Sequence, residues 1–593
     1  MRRLIFLIII ALAVAAFAGW YYRKVSQRMS SAPVSALLPR ETILLAHMPD
    51  FNRMRDEWHD CDIYKLYREP AVQDFLTKPL GNVPTPKAFG AQTLRDIEQL
   101  DPKHAFIALI SMQSNNPKFV GGFQFRGNEQ DAERIIGKWR SGLLEQVPGA
   151  KREKLQHQRH DIDVVATPAL SLATTYARPW FFAATDVADL TALLDRADHR
   201  VNNPDATLDS DAAYREAVSH RPSSYAAFFY LQPKMFSERL AALRAATRSS
   251  PAPGEATLLE KMRCIAGSMR FENGKIHDAL FLGMPKLEQD GTITRSSLSL
   301  GTKETFLYLS LLLNLGDKVD ALNQASAFAG AKILRTLSDS GITADDWKAA
   351  FGLELESLAD WPSSAHWPSL LLTLPVTDTS KAGRIVEAFT RADDDAAWTK
   401  SEKDGVRYFT KQSVASLVAV TPTIAVSNRT LTAGLSPVSV EEAIKRSGAK
   451  SSELYDSATY KAAARLLPEP TNFFAYVDMA LLYSRLDASL RPMLLMAAAF
   501  MPAVAGSVDA SKLPPPEIIT KHLSPIVSSQ RYERDGYVAE SIGPITLDQA
   551  AIGIAVLSGL GTSAGQKVGA GATGLGRPSA ASPQPISSPS PTP

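Results

Sequence analysis

Arg40-Glu41-Thr42-Ile43-Leu44 has a counterpart 263 residues later, in Lys303-Glu304-Thr305-Phe306-Leu307. The match continues along the chain: a helical apolar face, a Tyr-bearing turn, an aromatic strand and a closing hairpin recur in the same order. Any single match could arise by chance, but an ordered series with small shifts in offset indicates an internal duplication. The sequence therefore predicts two tandem copies of one unit, spanning residues 37–300 and 301–558.

The best-defined element of each copy is a helix with one apolar face. This face is formed by Ala132, Ile135, Ile136 and Trp139 in the first copy and by Ala382, Ile385, Val386 and Phe389 in the second. These positions follow the i, i+3, i+4, i+7 spacing of a helical stripe that packs against a core. Asn128 is a suitable N-cap for the first of the two helices. The repeated positions are therefore expected to be buried.

Strands and hairpins alternate with the helices in both copies. Strands are expected at 42–46, 181–186 and 225–231 and at 305–310, 423–428 and 473–477, and further helices at 52–76, 187–195, 317–337 and 438–445. Each copy closes with a hairpin whose turn carries Asn273-Gly274 or Asp535-Gly536, dipeptides that adopt positive φ at little cost. Strands linked by both helices and hairpins predict an α+β class with a mixed or antiparallel sheet.

The amino terminus is typical of a membrane anchor. Residues 4–22 are 19 uncharged residues that end in Trp20-Tyr21-Tyr22 and are followed by Arg23-Lys24. About 20 apolar residues span a bilayer, and aromatic and basic residues mark its interface. We expect residues 1–24 to form a transmembrane anchor or signal segment and 25–36 a linker, with the bulk of the chain extracytoplasmic, in the periplasm or at the cell surface. In the alternative, a signal peptide is cleaved near Ala18 and the protein is secreted.

Composition separates a globular body from a low-complexity end. A hydrophobic fraction of 45%, a charged fraction of 21% and a net charge of +2 are ordinary for a globular protein. Interspersed charges argue against a nucleic-acid-binding surface. Residues 559–593 are rich in Gly, Ala, Ser and Pro, which predicts a disordered tail. The apolar segments 493–506 and 550–560 are too short to span a membrane and are expected in the core or at an interface.

The motifs in this sequence do not support catalysis, a cofactor or a bound metal. Gly561–Gly565 matches a nucleophile elbow, but no Asp, Glu or His follows Asp548 to complete a triad. Gly569–Gly574 matches a dinucleotide fingerprint that lacks the acidic residue such sites require. The densest set of metal-ligand residue types lies at 157–163, and the second copy has no His on the matching strand. A solvated polar strand or loop is therefore the preferred interpretation.

Trp58, Tyr64 and Tyr67 form a candidate partner surface near the start of the first copy. Packing of an amphipathic helix beneath the sheet explains these aromatic residues as well, and it is the preferred interpretation. Two cysteines, Cys61 and Cys264, occur in the chain. They could pair in an oxidising compartment, but two cysteines in a large domain are not a disulfide framework, so isolated thiols are the main alternative.

Residues 38–76 also carry a motif of moderate specificity. It consists of Leu38-Pro39-Arg40-Glu41-Thr42, Pro49-Asp50, Trp58, Glu69-Pro70 and Val72-Gln73-Asp74-Phe75-Leu76. This opening resembles a bacterial family of membrane-anchored or secreted proteins known only as a domain of unknown function. The resemblance implies an extracytoplasmic location and supplies no activity or catalytic residue. The second copy lacks the Pro-Asp, the Trp and the Glu-Pro, so a role tied to this segment would belong to the first copy alone.

These features together predict a non-enzymatic, membrane-anchored protein of the cell envelope that binds or scaffolds. No catalytic residue, cofactor or metal ligand is assigned, and the expected partners are the membrane and an envelope protein. Two alternatives stay open. One is a hydrolase-type envelope enzyme, because an active site assembled from distant residues leaves no local trace. The other is a binder of a lipid or hydrophobic ligand between the two lobes, which requires a large apolar cavity.

Overall fold

A computed structural model describes residues 33–549, apart from several gaps. The gaps are 82–90, 114–115, 126–128, 147–148, 168–170, 178, 199–205, 239–260, 287–290, 314–338, 395–396, 413–419, 448 and 450. The expected anchor 1–24, most of the linker, the N-cap Asn128, the helix 317–337, the apolar segment 550–560, the two glycine-rich motifs and the tail 559–593 lie outside the described residues. In the part of the chain that is described, no helix has the length and hydropathy needed to cross a membrane.

The described residues form one antiparallel sheet of twenty strands. The strands are β1 (Leu44–Asp50), β2 (Lys103–Gln113), β3 (Asn116–Gln124), β4 (Lys151–His157), β5 (His160–Ala166), β6 (Ser171–Ala177), β7 (Trp180–Ala184), β8 (Ala227–Leu231), β9 (Cys264–Glu272), β10 (Lys275–Gly283), β11 (Thr305–Leu312), β12 (Glu354–Asp360), β13 (Ser369–Pro375), β14 (Trp398–Lys403), β15 (Val406–Lys411), β16 (Thr423–Val426), β17 (Thr430–Gly434), β18 (Phe473–Val477), β19 (Ile526–Glu533) and β20 (Gly536–Gly543). The α+β class is confirmed, and the sheet is antiparallel rather than mixed.

The two halves of the sheet have equivalent strand orders when each is followed from its outer edge to the middle. From one edge it runs β4-β5-β6-β7-β3-β2-β1-β8-β9-β10. From the other edge it runs β14-β15-β16-β17-β13-β12-β11-β18-β19-β20. The two halves join where β10 pairs with β20, from Ile276 opposite Gly543 to Leu282 opposite Tyr537.

Helices connect the strands and cover the sheet. They are α1 (Val34–Leu37), α2 (Phe51–His59), α3 (Asp62–Arg68), α4 (Pro70–Gly81), α5 (Ala91–Leu100), α6 (Glu129–Gln146), α7 (Val187–Ala197), α8 (Ala212–Ser219), α9 (Ala344–Ala350), α10 (Thr379–Asp394), α11 (Pro437–Arg446), α12 (Glu453–Asp456), α13 (Ala458–Ala464), α14 (Met479–Phe500), α15 (Pro502–Ser507) and α16 (Pro516–Thr520). Short 3-10 turns lie at Leu208–Ser210, Ser296–Leu300 and Ala510–Lys512.

The apolar helical faces are buried as the spacing predicts. Ala132, Ile135 and Ile136 of α6 belong to one core cluster, in which Trp139 is partly buried. The matching residues of α10 belong to another cluster, in which Phe389 is partly buried. In a helix the residues at this spacing fall on one side, so each helix can pack its stripe against the sheet while its other faces stay in water.

The first half and the second half each have a larger core, and β20 contributes to both. In the first half, α7 and α8 pack against β1, β2, β7 and β8. In the second half, α11 and α13 pack against β11, β12, β13 and β18. Val538 of β20 belongs to the first core and Ile542 of the same strand belongs to the second. The chain through Thr546 is accordingly one compact unit, and of the remaining unit, Leu547–Pro593, only residues 547–549 are described.

One expected element boundary is wrong. The expected linker 25–36 ends too late, because residues 34–37 form α1, and the apolar Val34 and Leu37 are buried in the first core. The helical stretch expected at 52–76 is confirmed, and it consists of three helices, α2, α3 and α4. The chain leaves the helical path at Cys61 and again at Glu69, where both residues have extended backbone. Glu69 precedes Pro70, and a residue before proline avoids the helical region.

The closing hairpins differ from expectation in one turn. Asn273 and Gly274 have φ of 51° and 79°, as a tight hairpin turn requires. In the second hairpin Gly536 already pairs with Glu533 in the ladder, and no positive φ occurs at Asp535 or Gly536. Glycine is needed at 536 for a different reason: a Cβ there would collide with the carbonyl oxygen of Leu282 on β10. The expectation of a positive-φ turn at Asp535-Gly536 is wrong.

The apolar segment 493–506 is not part of the core. Ser489 is the last buried residue of α14, and beyond it Met496 is 59% exposed and Phe500 is 83% exposed. The helix as a whole makes more of its contacts with α15 and α16 than with the strand β11. Core packing is therefore wrong for this segment, and the interface alternative stays a prediction.

Candidate functional site

A cavity of about 440 Å³ lies in the first half of the protein, between the helices α1 and α8 and the strands β1 and β2. Its wall is formed by Pro33, Val34, Ser35, Leu45, His47, His104, Asp209, Tyr214, Arg215, Val218, Arg221 and Tyr225. Small-molecule sites in proteins are clefts of about 300–1,000 Å³ with mainly apolar walls and a few convergent polar groups. This cavity has both properties.

Local structure explains why polar groups reach an otherwise apolar cavity. Side chains two residues apart on a strand share a face, so His47 lies on the same face of β1 as the buried Leu45. His104, at the start of β2, stacks on His47 with ring centroids 5.7 Å apart. Arg221 follows the end of α8, and Tyr225 precedes β8. Elements distant in sequence therefore deliver the four polar side chains.

A chain of hydrogen bonds links these groups. Arg221 donates from Nη1 to the hydroxyl oxygen of Tyr225 at 2.9 Å, and that hydroxyl lies 2.9 Å from Nδ1 of His47. Arg53 donates to the backbone carbonyl of Tyr225 at 2.8 Å. Nε2 of His47 is buried and has no hydrogen-bond partner among the described residues.

Burial decides the protonation of the site. Desolvation, together with the nearby His104 and Arg221, lowers the pKa of His47 to about 4. Desolvation also lowers the pKa of His104. The pKa of the Tyr225 hydroxyl is raised by burial. His47 and Tyr225 are consequently neutral at pH 7, while Arg221 keeps its charge.

Arg221 holds that charge against aromatic rings. Its guanidinium carbon is 4.5 Å from the centroid of Tyr225 and 5.1 Å from that of Phe228. Such cation–π contacts contribute about 0.5–2 kcal/mol. Arg221 forms no ion pair with any residue that the structure describes. The cavity wall therefore contains a positive charge without a paired carboxylate.

The corresponding place in the second half holds buried carboxylates. β12 takes the position in its half that β2 takes in the first, and its Glu354 and Glu356 are 4% and 1% exposed. Glu354 accepts from the backbone N of Thr294 at 2.9 Å, from that of Arg295 at 2.7 Å and from the Ser310 hydroxyl at 2.6 Å. The segment before residue 296 thus fills this place with its own donors.

Glu356 is bound in a similar way. Ser297 donates its backbone N–H at 3.0 Å and Tyr308 its hydroxyl at 2.9 Å. Burial, with the adjacent Glu354, nevertheless raises the pKa of Glu356 to about 7. Desolvation penalises the charged form more than these hydrogen bonds favour it.

This shift predicts a pH-dependent stability. The folded state holds a proton on Glu356 up to about pH 7, whereas an unfolded glutamate releases it near about pH 4.3. Stability is therefore fully present below the unfolded pKa and is lost as the pH rises through the folded pKa. We expect urea melts from pH 5 to pH 8 to show a decline on the order of 1–3 kcal/mol that is absent in Glu356→Gln. Equal slopes for the two proteins would contradict the burial of a titrating carboxyl.

A smaller, polar pocket of about 170 Å³ lies where the two halves join. It shares Arg221 with the cavity and includes His277, which is 5% exposed. Arg270 donates to Nδ1 of His277 at 2.9 Å, and Glu540 of β20 lies 3.8 Å from its Nε2. Glu540 in turn pairs with Arg531 at 2.7 Å. These contacts join side chains of neighbouring strands, so the pocket is best described as a polar seam between β10 and β20.

The candidate partner residues come together on α2 and α3. The Trp58 and Tyr64 ring centroids are 6.1 Å apart, and those of Tyr64 and Tyr67 are 6.4 Å apart. Trp58 also lies 6.3 Å from Phe271 of β9. Trp58 is 36% exposed and Tyr67 is 46% exposed, so the cluster packs on the sheet and still presents surface.

The His/Asp cluster at 157–163 lies on the β4–β5 hairpin, and its histidines contact aspartates of another element. His157 lies 2.9 Å from Asp195, and His160 lies 3.0 Å from Asp198, both near the end of α7. The expected solvated strand is wrong at His160, which is only 7% exposed because its ring lies against α7. Among the described residues no group of three or more His, Cys, Asp or Glu is arranged to hold a metal ion.

Cys61 and Cys264 are separate thiols in the structure. Both are buried, and burial raises their pKa values to about 11 and about 12, respectively. Cys61 donates weakly to the carbonyl of Glu57 at 3.4 Å. Of the two alternatives from the sequence, the structure has the isolated thiols.

The sequence did not single out His47, His104, Arg221 or Tyr225. The one available signal was a histidine within the apolar run of β1, which by itself is more often a core residue than a ligand. Tyr225 lies 178 residues from its partner His47, so no local spacing could join them.

Comparisons with known proteins supply no identity. No family model matches the chain, and no curated protein matches it. Among solved structures, two crystal forms of a protein named TP0453 cover 44% of this chain and 83% and 82% of their own length, at 8% identity and a TM-score of 0.24. A third crystal form gives 9% identity and the same TM-score. A TM-score this low supports neither a shared fold nor a shared function.

Proposed function

We propose that this chain is a non-enzymatic binding protein of the cell envelope, and that the cavity in its first half takes a small, largely apolar molecule. The observation that supports this most strongly is the 440 Å³ cavity with its apolar wall and its cluster of Arg221, Tyr225, His47 and His104. If each heavy atom takes about the 30 Å³ that one water occupies, the space holds roughly 15 of them. The ligand is then smaller than a phospholipid.

The site lies inside one half rather than between two lobes. One alternative from the sequence was a hydrophobic ligand bound between two lobes. It requires an apolar cavity where the two halves meet. At that place β10 and β20 are paired along seven residues, and the pocket beside them is small and polar. We therefore place the ligand in the first half.

We also infer that the two halves arose by duplication. Support comes from the ordered sequence matches and from the equal strand order on both sides of the β10–β20 pair. The apolar faces of α6 and α10 are buried at matching positions. After duplication the first half kept an open cavity, while the second half closed the same place with Glu354 and Glu356.

The proposed location is extracytoplasmic, with residues 1–24 as a membrane anchor. The support is the charge and aromatic pattern around residues 4–22 and the resemblance of residues 38–76 to a family with that location. An envelope protein is the proposed partner, and the half-exposed cluster of Trp58, Tyr64 and Tyr67 is the candidate surface. Pull-downs from a membrane extract with and without these three side chains would test it, and an unchanged set of partners would exclude that surface.

A hydrolase is the second candidate, because one observation favours it. Two histidines with lowered pKa line the same cavity, and perturbed groups cluster in active sites. An enzyme of this kind would release p-nitrophenol from p-nitrophenyl decanoate, and His47→Leu would remove the activity. If the protein only binds its ligand, neither the wild type nor His47→Leu hydrolyses this ester faster than the buffer alone does.

Filling the cavity tests the binding function. Val218 lies on α8 at the cavity wall and is only partly buried, so Val218→Trp can place its indole in the open space. We expect this variant to lose at least 20-fold in affinity for a medium-chain apolar ligand, because the added ring occupies a large part of the volume. Calorimetric titration measures the affinity, and thermal unfolding checks the fold. Unchanged affinity in a folded variant would exclude the cavity as the site.

A further inference from the structure

We infer that the ligand of this cavity carries a carboxylate, which accepts a hydrogen bond from Nε2 of His47 and is held by the charge of Arg221. The inference rests on the proposed function and adds the chemical class of the ligand: an apolar molecule with a monoanionic head. Three observations support it: the hydrogen-bond chain from Arg221 through Tyr225 to His47, the charges around the cavity, and the carboxylate that lies at the corresponding place in the second half.

The hydrogen-bond chain fixes where the protons are. The Arg221 guanidinium can only donate, so the Tyr225 oxygen accepts from it at 2.9 Å. The Tyr225 hydroxyl proton is then available for its other neighbour, Nδ1 of His47, at 2.9 Å. A neutral imidazole that accepts at Nδ1 carries its proton on Nε2. The phenol oxygen could also accept from Nδ1–H, but among the described residues the hydroxyl proton has no acceptor other than Nδ1, so we assign the Nε2–H tautomer to His47.

That Nε2–H donor lacks an acceptor within the described structure. Its atom is buried, and leaving a buried donor unpaired costs about 1–3 kcal/mol. The His104 ring stacked on His47 restricts the orientation of the imidazole. Because this atom is covered by protein, a ligand oxygen reaches it only when the imidazole turns toward the cavity, and the hydrogen bond formed there would recover this cost. The donor thus selects a ligand with a carbonyl or carboxylate oxygen.

The charges around the cavity favour an anion. Its wall contains the cationic side chains Arg215 and Arg221 and one carboxylate, Asp209. Asp209 accepts a hydrogen bond from the Thr207 hydroxyl, which occupies one of its oxygens. Arg221 forms no ion pair with a described residue, and an unpaired charge in an apolar site attracts an opposite charge more strongly than it would in water. A cationic ligand would be repelled by the positive charges of these arginines.

The second half shows what occupies the same place when it is closed. His104 and Glu354 lie at corresponding points of β2 and β12, two residues before Phe106 and Glu356. There the carboxylate of Glu354 accepts hydrogen bonds from hydroxyl and backbone donors. The protein thus places its own carboxylate at this position in one half. In the other half it has a buried donor and a cation, and no carboxylate of the described residues pairs with either of them.

Three ligands of one chain length separate the classes. Sodium decanoate, 1-decanol and decylamine each fit the roughly 15 heavy atoms of the cavity and differ in the head group. We expect decanoate to bind the full chain at least 10-fold more tightly than decanol, and decylamine to bind more weakly than either. Titration calorimetry at pH 7.5 on the same preparation gives all three affinities.

Variants identify the groups responsible. Tyr225→Phe removes the link between Arg221 and His47, and Arg221→Met removes the charge; each is expected to weaken decanoate at least 10-fold and decanol less than 3-fold. Arg221→Lys keeps the charge and is expected to recover most of the decanoate affinity. Arg465→Met, an exposed arginine at the end of α13, is the matched control and should change nothing.

The outcomes distinguish this inference from the proposed function. If decanoate and decanol bind equally and Val218→Trp abolishes both, the cavity is a binding site and the carboxylate inference is overturned. If none of the three ligands binds the wild type, the proposed function and this inference both fail. Preference for decanoate that survives in Arg221→Met, in a protein that still unfolds cooperatively, also overturns the assignment of the head group.

Discussion

Val538→Asp is expected to lower the free energy of unfolding by about 3–5 kcal/mol, and to do so for both halves at once. Val538 lies on β20 and is 4% exposed, opposite Phe281 of β10 and Arg531 of β19. It belongs to the core of the first half although its strand comes from the second. A carboxylate there would be buried without a partner, because the arginine beside it already pairs with Glu540.

Urea unfolding followed by circular dichroism measures this effect. The matched control is Val438→Asp, since Val438 is 63% exposed in the first turn of α11, where an acidic residue is favourable. We expect the control to change stability by less than about 0.5 kcal/mol. Two separate transitions, with only one shifted by Val538→Asp, would contradict a single sheet that unfolds as one unit.

Glu354→Leu is expected to cost about 2–4 kcal/mol, the second-largest effect. Its carboxylate accepts from Thr294, Arg295 and Ser310, and removing it leaves the fully buried Ser310 hydroxyl without this acceptor. A buried unpaired donor costs about 1–3 kcal/mol, whereas the exposed Thr294 and the half-buried Arg295 recover part of their loss by hydrogen-bonding to water. The effect arises because only one partner of each hydrogen bond is removed.

Glu402→Leu is the matched control for this variant. Glu402 also lies on a strand, β14 at the edge of the sheet, but its side chain is exposed. We expect a change within about 0.5 kcal/mol for the control in the same urea experiment. A similar small loss in Glu354→Leu would show that the buried hydrogen bonds of Glu354 do not stabilise the second half.

Local patterns in the sequence were sufficient for the elements but not for their assembly. The stripe of Ala132, Ile135 and Ile136 predicts its own burial, because helical periodicity is a property of neighbouring residues. The pairing of β10 with β20 has no such signal, since it joins strands about 260 residues apart through backbone hydrogen bonds that any side chain permits. The sequence therefore suggested two lobes where the structure has one sheet.

The candidate site could not be predicted from the sequence for a related reason. Each of its polar residues has an ordinary structural explanation on its own, such as a histidine in an apolar strand or an arginine after a helix. They become a candidate site only because the fold brings them together: Tyr225 contacts His47 across 178 residues of sequence. The cavity is the space that remains where α1 and α8 pack against β1. Such a space cannot be predicted from a local sequence pattern.

A crystal structure with bound 10-bromodecanoate would locate the ligand, because bromine gives an anomalous signal. We expect a bromine peak inside the 440 Å³ cavity, with the carboxylate within hydrogen-bond distance of Nε2 of His47 and close to Arg221. A bromine peak elsewhere on the protein, or a cavity without ligand density at saturating concentration, would contradict it.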